Sequence, residues 1–543
     1  MAILLLGLVL WQTVESLQLQ FKNPVERSRG VVSSVGGSAL ARSARARAGP
    51  VLFMGIGEPL NVVQSTGTVD LDKVGEEIVI SPPEGGKPLK IVMKFGGSSL
   101  ANAERVTYVA KLIKKHVEQG YRPVIVCSAM GKTTNTLLSS GDFALGGQVF
   151  VDSLRTMHLN TATQLSLPET TAASLIELLS ELERLLEGIK FIGELTPRTR
   201  DMLVSFGERM AVRIVAATLN KMGVPAQAFD AWTVGIRTSS EFGSAEIAEV
   251  SYTNIKNILG KFDGMIVPVV TGFLGHDDKG RITTLGRGGS DLTATVLGAA
   301  LPVDEVQVWK DVDGIMTADP RLVNGALPVT HITYEEAAEL AYFGAEVLHP
   351  ISMQPAIRSN IPVRVKNSYN PSSTGTIISA TRDKSKVLVT AITSKSDVEL
   401  IDIISTRMLG QYGFLSTVFG IFEECKMSID VVASSEVSIS LTLDKRQREK
   451  EDLPLLLEKL KTVADVTEYK ERCIVSLISN LDRSSEVMST AFKVMEKLGI
   501  KAEMLSQGAS KVNISIVIEM KDKEKLIKAL HACFFENKAV EDL

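Results

Sequence analysis

Lys94-Phe95-Gly96-Gly97-Ser98-Ser99-Leu100 has the composition of one wall of an anion site. The apolar run Ile91-Val92-Met93 leads into it. A helical pattern follows, with Val106, Val109, Ala110 and Ile113 at i, i+3, i+4 and i+7. A strand thus runs into a glycine turn, and the turn opens a helix. Glycines let backbone approach a ligand closely, and a helix start offers N–H groups to negative charge. Lys94, at the strand end, brings a cation to the same anion. Two further turns have this character: Ser128 to Thr134, after the apolar run Pro123 to Cys127, and the GRGGSD turn, Gly286 to Asp291, before a helix at Leu292 to Ala300. In open α/β sheets ligands bind beyond the carboxyl ends of strands, so the three turns are expected to converge. Arg287, among three glycines, suits a carboxylate or phosphate held bidentately. Ser290 and Asp291 either join this site or cap the following helix.

Two other stretches carry charge where it could act. Ser205-Phe206-Gly207-Glu208-Arg209 falls inside a helical pattern. A glycine there costs about 1 kcal/mol relative to alanine, which points to something approaching the backbone closely. Glu208 suits a substrate ammonium, or it is a surface residue beside Arg209. Trp309 to Arg321, WKDVDGIMTADPR, follows an apolar strand and turns at Asp313-Gly314 and Asp319-Pro320. Its charges fit a nucleotide and its metal, although alone it would read as an acidic loop. Gly131-Lys132-Thr133 is not the end of a P-loop, because Val126 stands where that motif requires glycine. No dinucleotide fingerprint follows Gly55-Ile56-Gly57.

The elements that must position these residues read as strands alternating with helices from Leu89 onward, which implies an α/β layer fold with a largely parallel sheet. Helices are expected at Ala172 to Leu186 and Asp201 to Leu219, and strands at Met265 to Val270 and Val306 to Trp309. After about residue 385 a short unit appears twice, offset by roughly 73–75 residues. In the first copy Leu415, Val418, Phe419 and Phe422 make a helix face, and Val437, Ile439, Leu441 and Leu443 a strand. In the second, Met488, Ala491, Phe492 and Met495 make the helix face, and Val512, Ile514, Ile516 and Ile518 the strand. Lys445 to Glu451 is a charged connector. Each unit is expected to be a small sheet with helices on one face, and its exposed edges invite side-by-side pairing.

Length and composition set bounds. With 543 residues, several domains are expected. A net charge of -4 and 5% aromatic residues give no support for a nucleic-acid partner. Four scattered cysteines without a CxxC pair suggest neither zinc nor disulfides, and a reducing compartment fits. Ala2 to Trp11 is too short to span a bilayer. The segment after it is rich in Arg and Ser, with no acidic residue between Glu26 and Glu58. That composition reads as an organelle transit peptide. A secretory signal is the rival, but no basic residue precedes the apolar run.

Taken together, KFGGSS, SFGE, TLGRGGSD, WKDVDGIMTADPR, FGAEVLHP and MLGQYGFL…SIDVVASSEVSISLTLD occur in the order of the aspartate kinase family, which the chain resembles over roughly residues 88–543. The nearest likeness is to the monofunctional, lysine-sensitive plant plastid type. The resemblance implies an amino-acid-kinase fold, a mostly parallel sheet between helices, followed by two α+β ACT domains. The implied organisation is a transit peptide and leader at 1–84, a catalytic domain at 85–380, a first ACT domain at 381–465 and a second at 466–543. In the family one ACT unit is inserted in the other, so the strand at 387–394 is open to either.

The implied activity is ATP-dependent phosphorylation of aspartate in the plastid stroma, with feedback by lysine. Lys94 would meet the transferring phosphate, and Gly96, Gly97 and Ser98 the nucleotide phosphates. Thr134 and Glu208 would bind aspartate, Arg287 its α-carboxylate, and Asp291 would organise lysine and metal near the reacting carboxylate. Lys310, Asp311, Met316, Arg321 and Glu346 would line the nucleotide site. Met316 departs from a tyrosine common in bacterial members, and Glu346 from a lysine found in some. Mg²⁺ would arrive with ATP rather than in a dedicated protein cage. Lysine would bind where two first ACT units pair, against Met408, Gln411, Gly413, Phe414, Leu415, Asp430, Ser434, Ser435 and Glu436. S-adenosylmethionine is a second inhibitor in some plant relatives. Expected partners are thus ATP, aspartate and these effectors, with no nucleic acid or membrane. The expected assembly is a homodimer or dimer of dimers through the ACT domains. A kinase for glutamate or acetylglutamate lacks this combination of motifs, and intact Lys94, Glu208, Arg287 and Asp291 argue against a non-catalytic sensor.

Overall fold

The computed structural model describes residues 88–262, 264–345, 348–384, 387–405, 413–435, 437–444, 452–508 and 510–542. The leader at 1–84, the connector from Lys445 to Glu451, and Glu346, Met408, Gln411 and Glu436 lie outside these residues.

The strands, in chain order, are β1 Lys90–Phe95, β2 Arg122–Cys127, β3 Ala226–Phe229, β4 Val267–Thr271, β5 Leu274–His276, β6 Ile282–Thr284, β7 Glu305–Lys310, β8 Ile315–Met316, β9 Pro328–Val329, β10 His331–Thr333, β11 Val363–Asn367, β12 Thr376–Ser379, β13 Val389–Ile404, β14 Val432–Ser434, β15 Ser438–Asp444, β16 Asp465–Ser479, β17 Met504–Gln507 and β18 Asn513–Glu519. The catalytic part is an eight-stranded sheet ordered β10-β12-β11-β7-β1-β2-β4-β3. Its neighbours are parallel except β11 and β12. β1 lies near the middle, so its end is flanked by the ends of β2 and β7.

Side chains alternate across the sheet, and this decides where charge can appear. Ile91, Met93 and Phe95 join a core with helices Ala103–Glu118, Glu169–Ile192 and Pro197–Lys221. Val92 joins the opposite core, with Val306 and Val308 of β7 and the helix Gly289–Ala300. By the same alternation Lys94 and Lys310 fall on the Val92 face. Two neighbouring strands therefore end in lysines facing the helix that carries Asp291.

The predicted helices and strands of this part are present, most with longer bounds, whereas the strand expected at Met265 to Val270 is the shorter Val267–Thr271. Met265 stands outside β4 and is largely exposed. The helix after the GRGGSD turn begins at Gly289, with Gly288 as its N-cap in left-handed conformation (φ 72°). Neither Ser290 nor Asp291 is the cap. Asp291 lies in the first helical turn instead, which releases its carboxylate for the site. After KFGGSS a single 3₁₀ turn, Ser98–Leu100, intervenes before the helix. That helix starts at Ala103, and the Asn102 side chain accepts from the Arg105 N–H there. The glycine turn is thus one turn removed from the helix start.

The C-terminal part departs from two separate small sheets. It is one six-stranded antiparallel sheet, ordered β14-β15-β13-β16-β18-β17. Two long strands run through both repeats. The first half of β13, Val389 to Lys395, pairs with Ile474 to Ser479, and the second half, Val398 to Ile404, pairs with both Asp465 to Arg472 and β15. A register shift between Lys395 and Val398, with Asp397 at φ 60°, separates the halves. In the second repeat the buried helix face is Val487, Ala491, Val494 and Met495; it keeps Ala491 and Met495 of the expected face and has Val487 and Val494 in place of Met488 and Phe492. In the first repeat Val418 and Phe422 are buried, while Leu415 is 45% and Phe419 38% exposed.

Candidate active site

The three turns converge at the carboxyl ends of β1, β2 and β4. Lys94 of the first turn, Ser128 and Thr134 of the second, and Gly286, Gly288, Gly289, Ser290 and Asp291 of the third line a cavity of about 270 Å³ with Glu208 and Phe273; Gly96, Gly97 and Ser98 are not among its lining residues. Steric fit explains two of the glycines. A Cβ on Gly97 would lie 2.8 Å from the Ala129 carbonyl and 2.9 Å from that of Gly131. The first turn is therefore keyed against the second, and the Gly131 N–H donates to the Gly97 carbonyl at 2.9 Å. A Cβ on Gly207 would meet the Ala129 Cβ at 2.7 Å. The close approach inferred from this mid-helix glycine is thus to the second turn, not to a ligand. A Cβ on Gly96 would make only ordinary contacts, 3.8 Å from Lys94 Nζ and 3.9 Å from the Trp309 carbonyl.

The close packing at Gly207 delivers Glu208. Its Oε1 accepts from the Ala129 N–H at 3.1 Å, its Oε2 has no hydrogen-bond partner, and the residue is 3% exposed. Burial pushes its carboxyl up to about 8, against the Ala129 N–H and the Lys94 charge, which pull it down. A buried carboxyl with one unmatched oxygen, lining a cavity, is suited to a cationic group of a ligand.

Asp291 sits opposite. Lys94 Nζ lies 2.6 Å from its Oδ1 and Lys310 Nζ 3.5 Å from its Oδ2. Burial alone would raise this carboxyl, but the two ammonium groups more than reverse that and hold it below its ordinary value. Burial lowers Lys310, which Asp291 opposes. One carboxylate between two ammonium groups leaves a net positive centre at the strand ends, the arrangement that receives a polyanion. The turn before the helix adds main-chain N–H groups, since no side chain caps it.

The remaining site residues are placed as follows. Thr134 lines the cavity in the helix Thr133–Leu145. Arg287 is exposed, while Gly286 and Gly288 on either side of it line the cavity. Ser98 and Asp311 are exposed and Met316, in β8, is half-buried. Arg321 is exposed and forks onto Asp319 at 2.7 and 3.0 Å. Gly413 caps the helix Phe414–Glu424 at φ 92°, and Ser434 and Ser435 are exposed at the β14 edge. Asp430 is not free: Lys395 Nζ lies 2.8 Å and the Tyr342 hydroxyl 2.9 Å from its Oδ1. Sequence reading did not single out Phe273, a left-handed non-glycine (φ 68°) on the cavity wall; its only local signal is its place after Thr271-Gly272 at a strand end. Among the described residues no group of three or more His, Cys, Asp or Glu could hold a metal, and no helix is long and apolar enough to cross a membrane.

Comparison with known proteins agrees with this geometry. Residues 90–367 match the amino acid kinase family, and residues 475–534 an ACT domain. The chain is 49% identical over 499 residues to the chloroplastic aspartokinase 3 of Arabidopsis thaliana, covering 89% of this chain and 88% of that protein. It is 35% identical over 460 residues to the lysine-sensitive aspartokinase 3 of Escherichia coli, covering 82% and 99%. Solved structures of E. coli aspartokinase III align at 33% identity and TM-score 0.69 in complex with lysine and aspartate, and at 32% and 0.68 with aspartate and ADP. Each alignment covers 82% of this chain and 99% of the other. A kinase sheet ending in a lysine–aspartate–lysine cluster, an ACT sheet behind it and similarity along most of the chain lead to one conclusion: this protein belongs to the aspartate kinase family.

Proposed function

We propose that the chain transfers the γ-phosphoryl group of ATP to the β-carboxylate of L-aspartate, giving ADP and 4-phospho-L-aspartate, at the cavity between Glu208 and Asp291. The observation that carries this is that an unmatched buried carboxyl, Glu208, and the Lys94 ammonium line one cavity, with Lys310 joined to them through Asp291. Glu208 receives the substrate ammonium, with Thr134 beside it, and Arg287 reaches the α-carboxylate. The β-carboxylate is already ionised at neutral pH, so no strong base is required. Its oxygen bonds to phosphorus as the bond to ADP breaks, and positioning and charge stabilisation do the work. Lys94, Gly96, Gly97 and Ser98 take the phosphates, and Lys310, Asp311, Met316, Arg321 and Glu346 the nucleotide side. Mg²⁺ enters with ATP and supplies charge neutralisation. Arg287→Ala removes a charge-assisted fork, so the aspartate KM should rise about 10- to 100-fold with kcat much less affected. An unchanged KM in steady-state kinetics would take Arg287 out of the aspartate site.

We further propose that the product begins the aspartate-derived route to lysine, threonine, methionine and isoleucine, and that lysine inhibits through the ACT sheet. The chloroplastic relatives and the acid-poor leader support a plastid stromal location. The outer edge strand β14 and the exposed Leu415 and Phe419 support pairing of ACT units between chains. The path from effector to catalysis is read from the helix Tyr334–Tyr342, which carries three ties to the sheet at successive turns of one face. Glu336, wholly buried, accepts from Arg382 Nε at 2.7 Å and from the Thr390 hydroxyl at 3.0 Å. Glu339 accepts from Asn513 at 3.0 Å, and Tyr342 donates to Asp430 at 2.9 Å. Beyond this helix His349 packs on the catalytic turn, where a Cβ on Gly288 would meet its Cβ at 2.7 Å. An effector ammonium at Asp430 competes with Tyr342 and Lys395. Tyr342→Phe should therefore lower the half-inhibitory lysine concentration about fivefold, a coupling change near 1 kcal/mol, with uninhibited kcat retained. Inhibition curves with lysine, threonine and S-adenosylmethionine check this; an unchanged lysine curve would separate Asp430 from the effector.

A further inference from the structure

One buried histidine takes no part in the chemistry proposed above. His531, on the C-terminal helix Lys523–Phe535, is wholly buried, and both of its ring nitrogens have partners. Its Nε2 lies 3.0 Å from the Thr317 hydroxyl, across 214 positions of sequence, and its Nδ1 lies 3.1 Å from Glu536 Oε1. Thr317 directly follows β8, which ends at Met316. The Phe535 ring packs against the imidazole, with centroids 4.8 Å apart. The donors available set the direction of these bonds. The Glu536 carboxylate accepts, so the ring proton on Nδ1 goes to it. The Thr317 hydroxyl already accepts from the Leu327 N–H at 2.8 Å, which leaves its own proton for Nε2.

Thr317 is tied through its main chain as well. Its N–H donates to the Leu327 carbonyl at 2.8 Å, and its carbonyl accepts from the Ile392 N–H of β13 at 2.7 Å. Thr317 follows β8 and Leu327 precedes β9, so these bonds close the loop between the two strands. The loop itself is built into the C-terminal core: Ala318 and Val323 belong to one buried cluster with Ile392, Val475, Leu526 and Leu530. A Cβ on Gly325 would lie 3.3 Å from Glu536 Oε1, so the loop also abuts the end of the helix. The segment that carries Met316 and Arg321 is therefore anchored in the C-terminal unit as much as in the kinase sheet. Apolar packing fixes where the loop lies. The directional bond from His531 to Thr317 fixes how it is oriented.

We propose that His531 is a positioning residue for ATP. By its bond to Thr317 it holds the β8–β9 loop, and with it Met316 and Arg321, at the nucleotide side of the site. The proposal rests on the reading that places Met316 and Arg321 there. It concerns the nucleotide rather than aspartate, because no residue of this loop lines the cavity of Glu208 and Asp291. It shares no residue with the helix Tyr334–Tyr342 or with Asp430. A purely structural role for His531 predicts a different outcome, a lower thermal midpoint with unchanged kinetics.

The experiment is steady-state kinetics on the full chain, with ATP and aspartate varied separately and thermal midpoints measured alongside. His531→Asn keeps an amide near the place of Nδ1, for Glu536, but does not reach Thr317. His531→Gln carries its amide to the place of Nε2. The Asn variant should raise the ATP KM about tenfold, the effect of one buried hydrogen bond left unmade, and keep the aspartate KM within about twofold of wild type. The Gln variant should bring the ATP KM back to within about threefold of wild type. Thr317→Val breaks the same bond from the other side and should also raise the ATP KM about tenfold. Combined with His531→Asn it should add little, since both remove one bond. If the Asn variant does not fold, Thr317→Val and the Gln variant decide. An ATP KM unchanged in the Asn and Val variants, a Gln variant no better than Asn, or equal rises in the ATP and aspartate KM would overturn the proposal. Arg321→Ala separates it from the reading beneath it. An ATP KM raised by Arg321→Ala but not by the Asn and Val variants would remove the positioning role alone; an ATP KM unchanged in all three would remove both.

Discussion

Lys94→Ala should lower kcat about 10²- to 10³-fold and leave the aspartate KM nearly unchanged, the cost expected when one preorganised cation is removed from developing charge. The expectation follows from the fold. Lys94 ends a central strand, faces the Gly289–Ala300 helix and lies 2.6 Å from Asp291. On the proposed reading the Asp291 carboxylate would hold the Lys94 ammonium at the strand end, leaving its remaining N–H donors for a phosphate. Removing one partner of a buried pair also threatens stability. Here Lys310 remains 3.5 Å from Asp291 and limits that cost. Thermal midpoints measured beside kcat separate the two effects. A variant that folds and keeps kcat within tenfold of wild type would remove Lys94 from the phosphoryl path.

Glu208→Gln should raise the aspartate KM about 10- to 100-fold, because an ammonium would lose its only buried carboxylate on that wall of the cavity. The pH dependence is the sharper test. In the free protein burial holds this carboxyl at about 8, so below that pH it carries a proton that an incoming ammonium must displace. Aspartate affinity should therefore increase as pH rises toward 8 and level off above it. At pH 7 binding should release close to one proton, roughly the linkage of a group protonated when free and ionised when bound. Calorimetry in buffers of different ionisation enthalpy counts that proton. Glu208→Gln should abolish the release; a wild-type protein that binds aspartate without releasing a proton at pH 7 would contradict the assignment.

The strand–turn–helix character of the site was legible because it is local. Apolar runs ending in glycine turns announce strand ends, and a parallel sheet brings such ends together. Once β1 and β7 are seen to pair, alternation places Lys94 and Lys310 on one face. What local pattern could not carry was pairing at long range. Nothing in KFGGSS says that Lys94 meets Asp291, nearly two hundred residues later. The close approach expected at Gly207 is present, but its partner, Ala129, lies on another element and could not be named from local pattern. The resemblance to a known family supplied roles for these residues, whereas the fold supplied their geometry. In the C-terminal part the repeat was visible, but strands that run through both copies were not. Each half of β13 and β16 looks complete on its own, and only pairing shows that they are continuous. In the helix of the second repeat Ala491 and Met495 are buried as expected, but Val487 and Val494, rather than the equally apolar Met488 and Phe492, complete the buried face. Where several apolar residues cluster, moment alone does not choose the face.

The most direct measurement uses the purified chain with ATP, Mg²⁺, L-aspartate and hydroxylamine. An acyl phosphate formed at the β-carboxylate is trapped as aspartyl hydroxamate. The expected result is hydroxamate in amounts equal to the ADP released, dependent on aspartate and not supported by glutamate, and lost in Lys94→Ala. ADP without hydroxamate, or hydroxamate from glutamate and not from aspartate, would contradict the account.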